Sequence, residues 1–191
     1  MKSIDRILIS RGKYDMITIV KVGNGERIMK DCEIAKDKNN CASKSVSALD
    51  LAKHTIIVAN KNGQKVTNLK LQKILYYLQC LFYREFKKRL FSEELEAWKL
   101  GPVVPEAYFY FSLFGSEPIQ IEQDSQLNLT SKEIEYIDKI IKSKSVKTSY
   151  ALVEETHKEI PWKKATNNGC NVGVHRLISF NDIISCYGQN R

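Results

Sequence analysis

From residue 47 onward, apolar side chains recur with the 3.6-residue period of α-helices. Ser47 can N-cap a first helix that ends near Asn60, and Gly63 lies just beyond that end. The apolar positions of this helix are Leu49, Ala52, Ile56 and Ala59. The pattern predicts a helix with one face turned toward a core.

A second predicted helix follows Thr67 and runs from Asn68 to about Lys88. Its apolar positions form more than a single stripe and comprise Leu71, Ile74, Leu75, Leu78, Leu81, Phe82 and Phe86. A helix that is apolar around most of its circumference is usually surrounded by other elements. We therefore expect residues 68–88 to form the centre of a helical bundle.

Weaker patterns predict the remaining elements of this region. Helices are expected over residues 105–113, 131–142, 148–157 and 177–187, and one short strand within residues 116–128. Thr130 and Glu133 have the spacing of a capping box at the start of the second of these helices. The pair Gly101–Pro102 predicts a stiff turn, and the pair Pro161–Trp162 predicts another turn.

The N-terminal part of the chain has a different texture. Tyr14–Val20 and Glu26–Met29 are β-prone runs on either side of a Gly- and Asn-containing turn, which predicts a small β-hairpin. The polar stretch Lys36–Lys44 is typical of a linker. We therefore divide the chain into an N-terminal extension, residues 1–46, and a helical domain, residues 47–191. The predicted fold class is mainly α: a compact helical bundle preceded by a short arm that forms a β-hairpin.

The charge of the 191-residue chain raises the question of an anionic partner, since 30 Lys and Arg face 22 Asp and Glu for a net charge of +8. Residues 1–46 and 47–115 each hold ten basic and six acidic residues, whereas residues 116–191 hold ten of each. Only Arg84–Arg89 forms a compact basic segment. No recognition-helix, RNA-recognition or zinc-finger pattern accompanies it. Nucleic-acid binding is therefore disfavoured, and the charge is better explained by solubility or by complementarity to a protein surface.

The length of the apolar runs and the spacing of the cysteines indicate the cellular compartment of the protein. No run approaches the roughly eighteen apolar residues of a membrane span, and the first residues do not resemble a signal peptide, so we predict a cytoplasmic protein without membrane contact. The cysteines are Cys32, Cys41, Cys80, Cys170 and Cys186. Their scatter favours free thiols over a disulfide framework, and neither they nor the histidines have the spacing of a zinc site. We expect no metal and no cofactor.

Sequence signatures of catalysis are also weak. The glycines fit neither a phosphate loop nor a dinucleotide fingerprint, and no nucleophile elbow is present. Glu154, Glu155, His157 and Glu159 are clustered, but only Glu154 and His157 have the spacing of two helical ligands. We interpret this cluster as a polar helix end at which His157 interacts with the terminal carbonyls. The chain is predicted not to be an enzyme.

Three sequence blocks together resemble a known family. They are Val66–Tyr77 (VTNLKLQKILYY), Leu95–Pro105 (LEAWKLGPVVP) and Glu155–Trp162 (ETHKEIPW). Their composition, order and separation are similar to those of the Panacea antitoxin domain, also called SocA-like or the phage-associated GepA type. The resemblance covers about residues 48–187.

This resemblance implies an all-helical antitoxin domain, encoded beside a toxin gene, that neutralises its cognate toxin by direct protein–protein binding. One branch of the family acts as an adaptor that delivers the toxin to a Clp-type protease, and this alternative stays open. A second alternative is a nucleic-acid-binding phage or mobile-element protein. Neither antitoxin mechanism requires a catalytic residue, and assembly into a homo-oligomer is left open.

The candidate toxin-contacting residues are Lys73, Tyr76, Tyr77, Trp98, Gly101, Pro102, Val103, Pro105 and Trp162. Trp98 and the following Gly-Pro-Val segment are expected to form a rigid apolar corner, since Trp is enriched in interface hot spots; core packing of Trp98 is the alternative. Tyr76 and Tyr77 project about 100° apart on a helix, so one is expected in the core and the other at the surface. Trp162 is more typical of a packing anchor.

Overall fold

A computed structural model describes residues 6–11, 14–22, 26–31, 46–122, 125–171 and 176–188 of the protein. The predicted linker and the turn of the predicted N-terminal hairpin lie outside these ranges. The division into residues 1–46 and 47–191 therefore stays a prediction.

The N-terminal residues form a three-stranded antiparallel sheet. Its strands are β1 (Arg6–Arg11), β2 (Tyr14–Val22) and β3 (Glu26–Asp31), in the order β1-β2-β3. In the β2–β3 pair, Ile19 lies opposite Met29. The predicted hairpin is confirmed, while β1 was not predicted.

Helices dominate the part of the chain that the structure describes after residue 46. They are α1 (Ala48–Lys61), α2 (Asn68–Phe86), α3 (Pro105–Tyr110), α4 (Ser131–Ser145), α5 (Ser149–Lys158), α6 (Ile160–Thr166) and α7 (Phe180–Tyr187). A 3₁₀ turn over Ser112–Phe114 follows α3. The predicted mainly α class is confirmed. No helix within the described ranges is long and apolar enough to cross a bilayer.

Side-chain caps place the starts of four helices where the sequence predicts them. Ser47 accepts a hydrogen bond from the Asp50 N–H at 3.0 Å at the start of α1. Thr67 and Thr148 cap α2 and α5 in the same manner. Thr130 forms the predicted capping box with Glu133 before α4. Each cap supplies an acceptor to an N–H group that has no partner inside its helix.

Helix α2 lies at the centre of the core, as its wide apolar face predicts. It packs against α1, α3, α4, α5 and α7. Its fully buried apolar side chains include Leu71, Ile74, Leu75, Leu78 and Phe82. A helix surrounded on so many sides can bury apolar residues around most of its circumference.

A second three-stranded sheet is the main feature that the sequence analysis missed. Its strands are β4 (Leu95–Trp98), β5 (Gly101–Val103) and β6 (Leu177–Ile178), antiparallel in the order β5-β4-β6. Strands of two to four residues are too short for a recognisable alternation of apolar and polar positions. The partner strand β6 also lies about eighty residues further along the chain.

Several predicted boundaries were wrong. The predicted helix over residues 177–187 begins only at Phe180, because β6 takes its first two residues. The Pro161–Trp162 pair lies inside α6, where Pro occupies the first turn and needs no N–H partner. The predicted strand within residues 116–128 is reduced, in its described part, to single bridge residues at Pro118, which pairs with Thr67, and at Ile121.

Candidate functional site

Helix α2 holds the segment that contains β4 and β5 through buried polar side chains. We call Asn68, Gln72, Lys73 and Gln79 the polar clamp, since all four are buried and the first three act around the β5–α3 junction. The Gln72 side-chain oxygen Oε1 accepts the Val104 N–H at 3.0 Å, and its side-chain Nε2 donates to Asn68 Oδ1. Asn68 in turn donates to the Tyr108 carbonyl at 2.9 Å. These bonds satisfy buried backbone groups that no strand partner reaches.

Gln79, nearer the C-terminal end of α2, also pairs buried backbone groups. Its carbonyl oxygen accepts the N–H groups of Leu90 and Phe91 at 3.1 and 3.3 Å, and its amide donates to the Phe91 carbonyl at 3.0 Å. A single amide side chain therefore pairs three backbone groups of the chain leading into β4. Removing it would leave all three buried without partners.

Lys73 is the most unusual member of the clamp because it is a fully buried cation. Its Nζ donates to the Pro102 carbonyl at 2.8 Å. Burial lowers the pKa of the Lys73 ammonium to about 7, because the charged form loses its hydration. The amine is thus a structural donor beneath β5 and is not presented to a partner on the surface.

Gly101 fits against this amine in a way that only glycine allows. Its φ is +97°, and an added Cβ would lie 2.7 Å from Thr156 Oγ1 and 2.9 Å from Lys73 Cε. The backbone conformation and the close approach both exclude a side chain. Gly101 therefore lets the β4–β5 hairpin sit directly on α2 and α5.

Trp98 lies on β4 and pairs with Gly101 across the same hairpin. Its indole N–H donates to the Glu96 carboxylate at 2.5 Å. Its ring lies 4.8 Å from that of Tyr108 and 6.2 Å from that of Phe109, measured between centroids. The side chain is half-buried, so it is held by neighbours and still reaches the surface.

Trp162 supports the hairpin from α6. It is 5% exposed, and its indole N–H donates to the Trp98 carbonyl at 3.3 Å. Its ring stacks on His157 with centroids 4.1 Å apart. This geometry agrees with the packing anchor that the sequence favoured.

His157 has a different role from the one we predicted. It lies in the last turn of α5, but it hydrogen-bonds to the backbone of Lys99 in the hairpin turn. Burial and the nearby Lys73 lower the pKa of the His157 imidazole. The ring therefore joins α5 to the hairpin, where we had expected it to meet the carbonyls that end its own helix.

Tyr76 and Tyr77 point toward a separate cluster at α5 and α7. Tyr76 is fully buried and Tyr77 is 4% exposed, so the expected division between core and surface was wrong. Glu159 accepts the Tyr187 hydroxyl at 2.6 Å and that of Tyr77 at 3.5 Å. Burial raises the pKa values of the Tyr77 and Tyr187 hydroxyls. Tyr77, Tyr187 and Glu159 therefore link α2, α7 and the junction between α5 and α6 by hydrogen bonds, whereas the buried Tyr76 hydroxyl has no hydrogen-bond partner among the described residues.

The predicted contact residues thus divide into three groups. The structure brings together Lys73, Trp98, Gly101, Pro102, Val103 and Trp162 around the β4–β5 hairpin. It places Pro105 at the start of α3 next to them, and Tyr76 and Tyr77 in the other cluster. Most of these side chains are buried. Their role in toxin binding stays a prediction.

Sequence reasoning missed the exposed apolar residues beside Trp98. Leu100 is 45% exposed in the hairpin turn, Phe109 is 56% exposed on α3, and Leu177 is 52% exposed on β6. Leu177 lies opposite Glu96 on β4, so its side chain shares the outer face of the sheet with Glu96 and Trp98. We call Trp98, Leu100, Phe109 and Leu177 the front surface. No sequence signal joins them, because β6 reaches β4 only in the folded chain.

The basic segment Arg84–Arg89 is largely used within the protein. Lys87 donates to the Gly188 carbonyl at 2.7 Å, and Lys88 forms an ion pair with Glu133. The Arg89 guanidinium lies 4.8 Å from the centre of the Phe180 ring. These contacts fasten the end of α2 to α4 and α7, which explains the basic residues without a nucleic acid.

The described residues form no assembled metal-binding or thiol site. No group of three or more potential ligands occurs there, and Cys80, Cys170 and Cys186 are free thiols. Burial raises the pKa of the Cys80 thiol well above its usual value. Cys32 and Cys41 lie outside the described residues.

Comparison with protein families identifies the fold that carries this hairpin. Residues 71–163 match the family model described as Antitoxin SocA-like, Panacea domain. This match confirms the resemblance to the SocA-like Panacea antitoxin family that the sequence motifs indicated. The match begins within α2, so it includes Gln72, Lys73 and Gln79 of the polar clamp but not Asn68, and it continues through the hairpin to Lys163 in α6. No curated protein and no solved structure matches the chain.

Proposed function

We propose that this protein is the antitoxin of a toxin–antitoxin pair and neutralises its toxin by direct protein–protein binding. The observation that carries the proposal is the family match over residues 71–163, which includes the whole β4–β5 hairpin. Direct binding needs a preorganised surface and no reacting group. A hairpin held by the polar clamp and edged by exposed aromatic and aliphatic side chains meets that need.

The first test is rescue from a toxin. The polypeptide encoded by the neighbouring reading frame is expressed alone, and then together with this chain, in a strain that lacks Clp-type proteases. We expect growth arrest in the first case and growth in the second. A purified mixture should elute as a stable complex in size-exclusion chromatography with light scattering.

The outcomes separate the competing functions. Rescue that requires the protease would favour the adaptor alternative over direct neutralisation. Growth arrest that this chain never relieves, or a neighbouring polypeptide without toxicity, would count against an antitoxin. Sequence-specific binding of duplex DNA at physiological salt by the chain alone would favour the nucleic-acid alternative.

A further inference from the structure

The front surface combines exposed apolar area with a fixed geometry. Trp98, Tyr108 and Phe109 form a chain of edge-to-face ring contacts, with centroids 4.8 to 6.2 Å apart. Leu100 continues this area at the hairpin turn, two residues after Trp98. Exposed apolar side chains grouped in this way on a protein surface mark interaction sites.

The central Trp98 is ordered before any partner arrives. Its indole N–H is bound to Glu96, and its carbonyl accepts the Trp162 indole. A side chain that is already fixed loses little conformational entropy on binding. Aromatic anchors of this kind supply most of the binding energy in protein interfaces.

Other exposed apolar residues lack this arrangement. Tyr150 is 70% exposed and Val146 is 64% exposed, both near the turn between α4 and α5. No ring contact of Tyr150 with another described aromatic residue is present. Exposed apolar residues without such ring contacts are normal on any protein, so Tyr150 serves as a control.

The charges around the front surface indicate the chemistry of its partner. Lys99, in the hairpin turn, and Arg176, directly before Leu177, are both exposed and make no ion pair with a described residue. Glu96, the carboxylate at the centre, is 8% exposed and is bound to Trp98. Exposed Glu106 lies one turn before Phe109, on the α3 side. The hairpin side therefore presents two exposed positive charges, whereas its central carboxylate is buried.

This charge distribution argues that neither a second copy of the chain nor its own N-terminal residues occupy the front surface. A second copy carries a net charge of +8, and a two-fold contact centred on Trp98 would bring Lys99 close to its own symmetry mate. The N-terminal 46 residues are also basic, with ten Lys and Arg against six Asp and Glu. A foreign protein with carboxylates beside an apolar segment is the complementary partner.

We propose that the front surface is the toxin-contacting surface, and that it receives an apolar segment of the toxin with acidic residues facing Lys99 and Arg176. This proposal rests on the proposed function and specifies where the toxin binds. The buried residues of the polar clamp support the surface without touching the partner.

The experiment measures binding of the purified, catalytically inactivated neighbouring polypeptide to full-length variants by calorimetry. We expect Phe109→Asp and Leu177→Asp each to raise the dissociation constant at least about tenfold, as for residues near a hot spot. Tyr150→Asp is the matched control and should change it less than about twofold. Circular dichroism of each variant shows whether the fold is retained.

Charge reversal provides the second arm. Lys99→Glu and Arg176→Glu should weaken binding several-fold at low salt and less at high salt, because these charges lie at the rim. Lys65→Glu, an exposed cation before α2, is the control and should have no effect. Analytical ultracentrifugation of the free chain tests self-association.

Each outcome has a defined meaning. If the wild-type chain binds and the front variants bind equally well, the surface assignment is wrong while the antitoxin function stands. If the wild-type chain does not bind, the direct-binding function fails and the surface proposal fails with it. A homodimer that Phe109→Asp dissociates would assign the surface to a second copy and overturn the proposal.

Discussion

The two sides of the β4–β5 hairpin have opposite chemistry. The inner side rests on polar groups that are buried, namely Lys73, Gln72 and the backbone around Gly101. Beside the outer side, apolar groups are exposed, above all Phe109 on α3 and Leu177 on β6. Each side reverses the usual placement of polar and apolar residues. The inner side fixes the shape of the hairpin, and the outer side offers area to a partner.

This difference teaches that motif residues and contact residues need not coincide. Lys73 and Gly101 belong to the sequence blocks that resemble the family, yet both are buried where the hairpin meets α2. Phe109 and Leu177 lie outside those blocks and are exposed. Substitutions on the inner side should therefore change stability, and substitutions on the outer side should change binding alone.

The largest effect is expected for Gly101→Ala. A Cβ at this position meets Thr156 and Lys73 at less than 3 Å and forces a positive φ on an L-residue. We expect a loss of about 3 kcal/mol or more in the free energy of unfolding, measured by urea titration. Gly63→Ala is the control, since Gly63 also has a positive φ but has no atom within 4 Å of its added Cβ. It should lose only about 1 kcal/mol. Equal losses would show that backbone strain alone, without the close approach, explains glycine at 101.

Gln79→Leu should have the next largest effect. The substitution preserves much of the side-chain volume but leaves the backbone groups of Leu90 and Phe91 unpaired. We expect a loss of about 2–3 kcal/mol in the free energy of unfolding. Hydrogen exchange should also accelerate at the amides of these two residues. Unchanged exchange there would mean that the chain before β4 is held by other contacts.

The Lys73→Met substitution tests the buried amine through the pH dependence of the free energy of unfolding. Because the pKa of Lys73 is about 7 in the folded protein and about 10.5 in the unfolded chain, the unfolded state binds more protons between these values. The amine therefore makes stability rise with pH across this window, by at most about 1.4 kcal/mol per pH unit. The wild type should gain stability relative to Lys73→Met from pH 7 to 9. Parallel unfolding curves for the two proteins over this range would contradict a lowered pKa.

Leu100→Ser should have the smallest effect on stability. Leu100 is 45% exposed in the hairpin turn, so its truncation should change the free energy of unfolding by less than about 0.5 kcal/mol. The same variant should still weaken binding to the inactivated toxin. A large loss of stability would show that the outer side is part of the fold and would remove the contrast between the two sides.

The sequence predicted much of the fold because helices depend on local signals. Caps such as Ser47 and Thr130 act within four residues, and the period of the apolar positions in α2 lies within the helix itself. The β-strands of the second sheet could not be found in this way. Strand β6 gains its partner only through contact with Glu96 and Leu95 of β4.

The candidate site was predicted only in part, for the same physical reason. The sequence located the Trp98–Val103 corner and the Trp162 anchor from residue type and turn chemistry. It did not show that Lys73 lies beneath Pro102, since that contact joins residues 29 positions apart. It also could not show that Tyr76 and Tyr77 are both buried, because their burial depends on α5 and α7.

By itself, then, the sequence determined most of the helices, the starts of four of them, the central position of α2 and the resemblance of residues 71–163 to an antitoxin family. Tertiary structure decided which residues are buried and which are presented. A side chain's exposure is set by elements distant in the chain, as Leu177 beside Glu96 and Lys73 beneath the hairpin both illustrate. Interactions between residues close in the sequence form a helix. Which side chains remain on the surface is decided only when the elements have packed and buried the others.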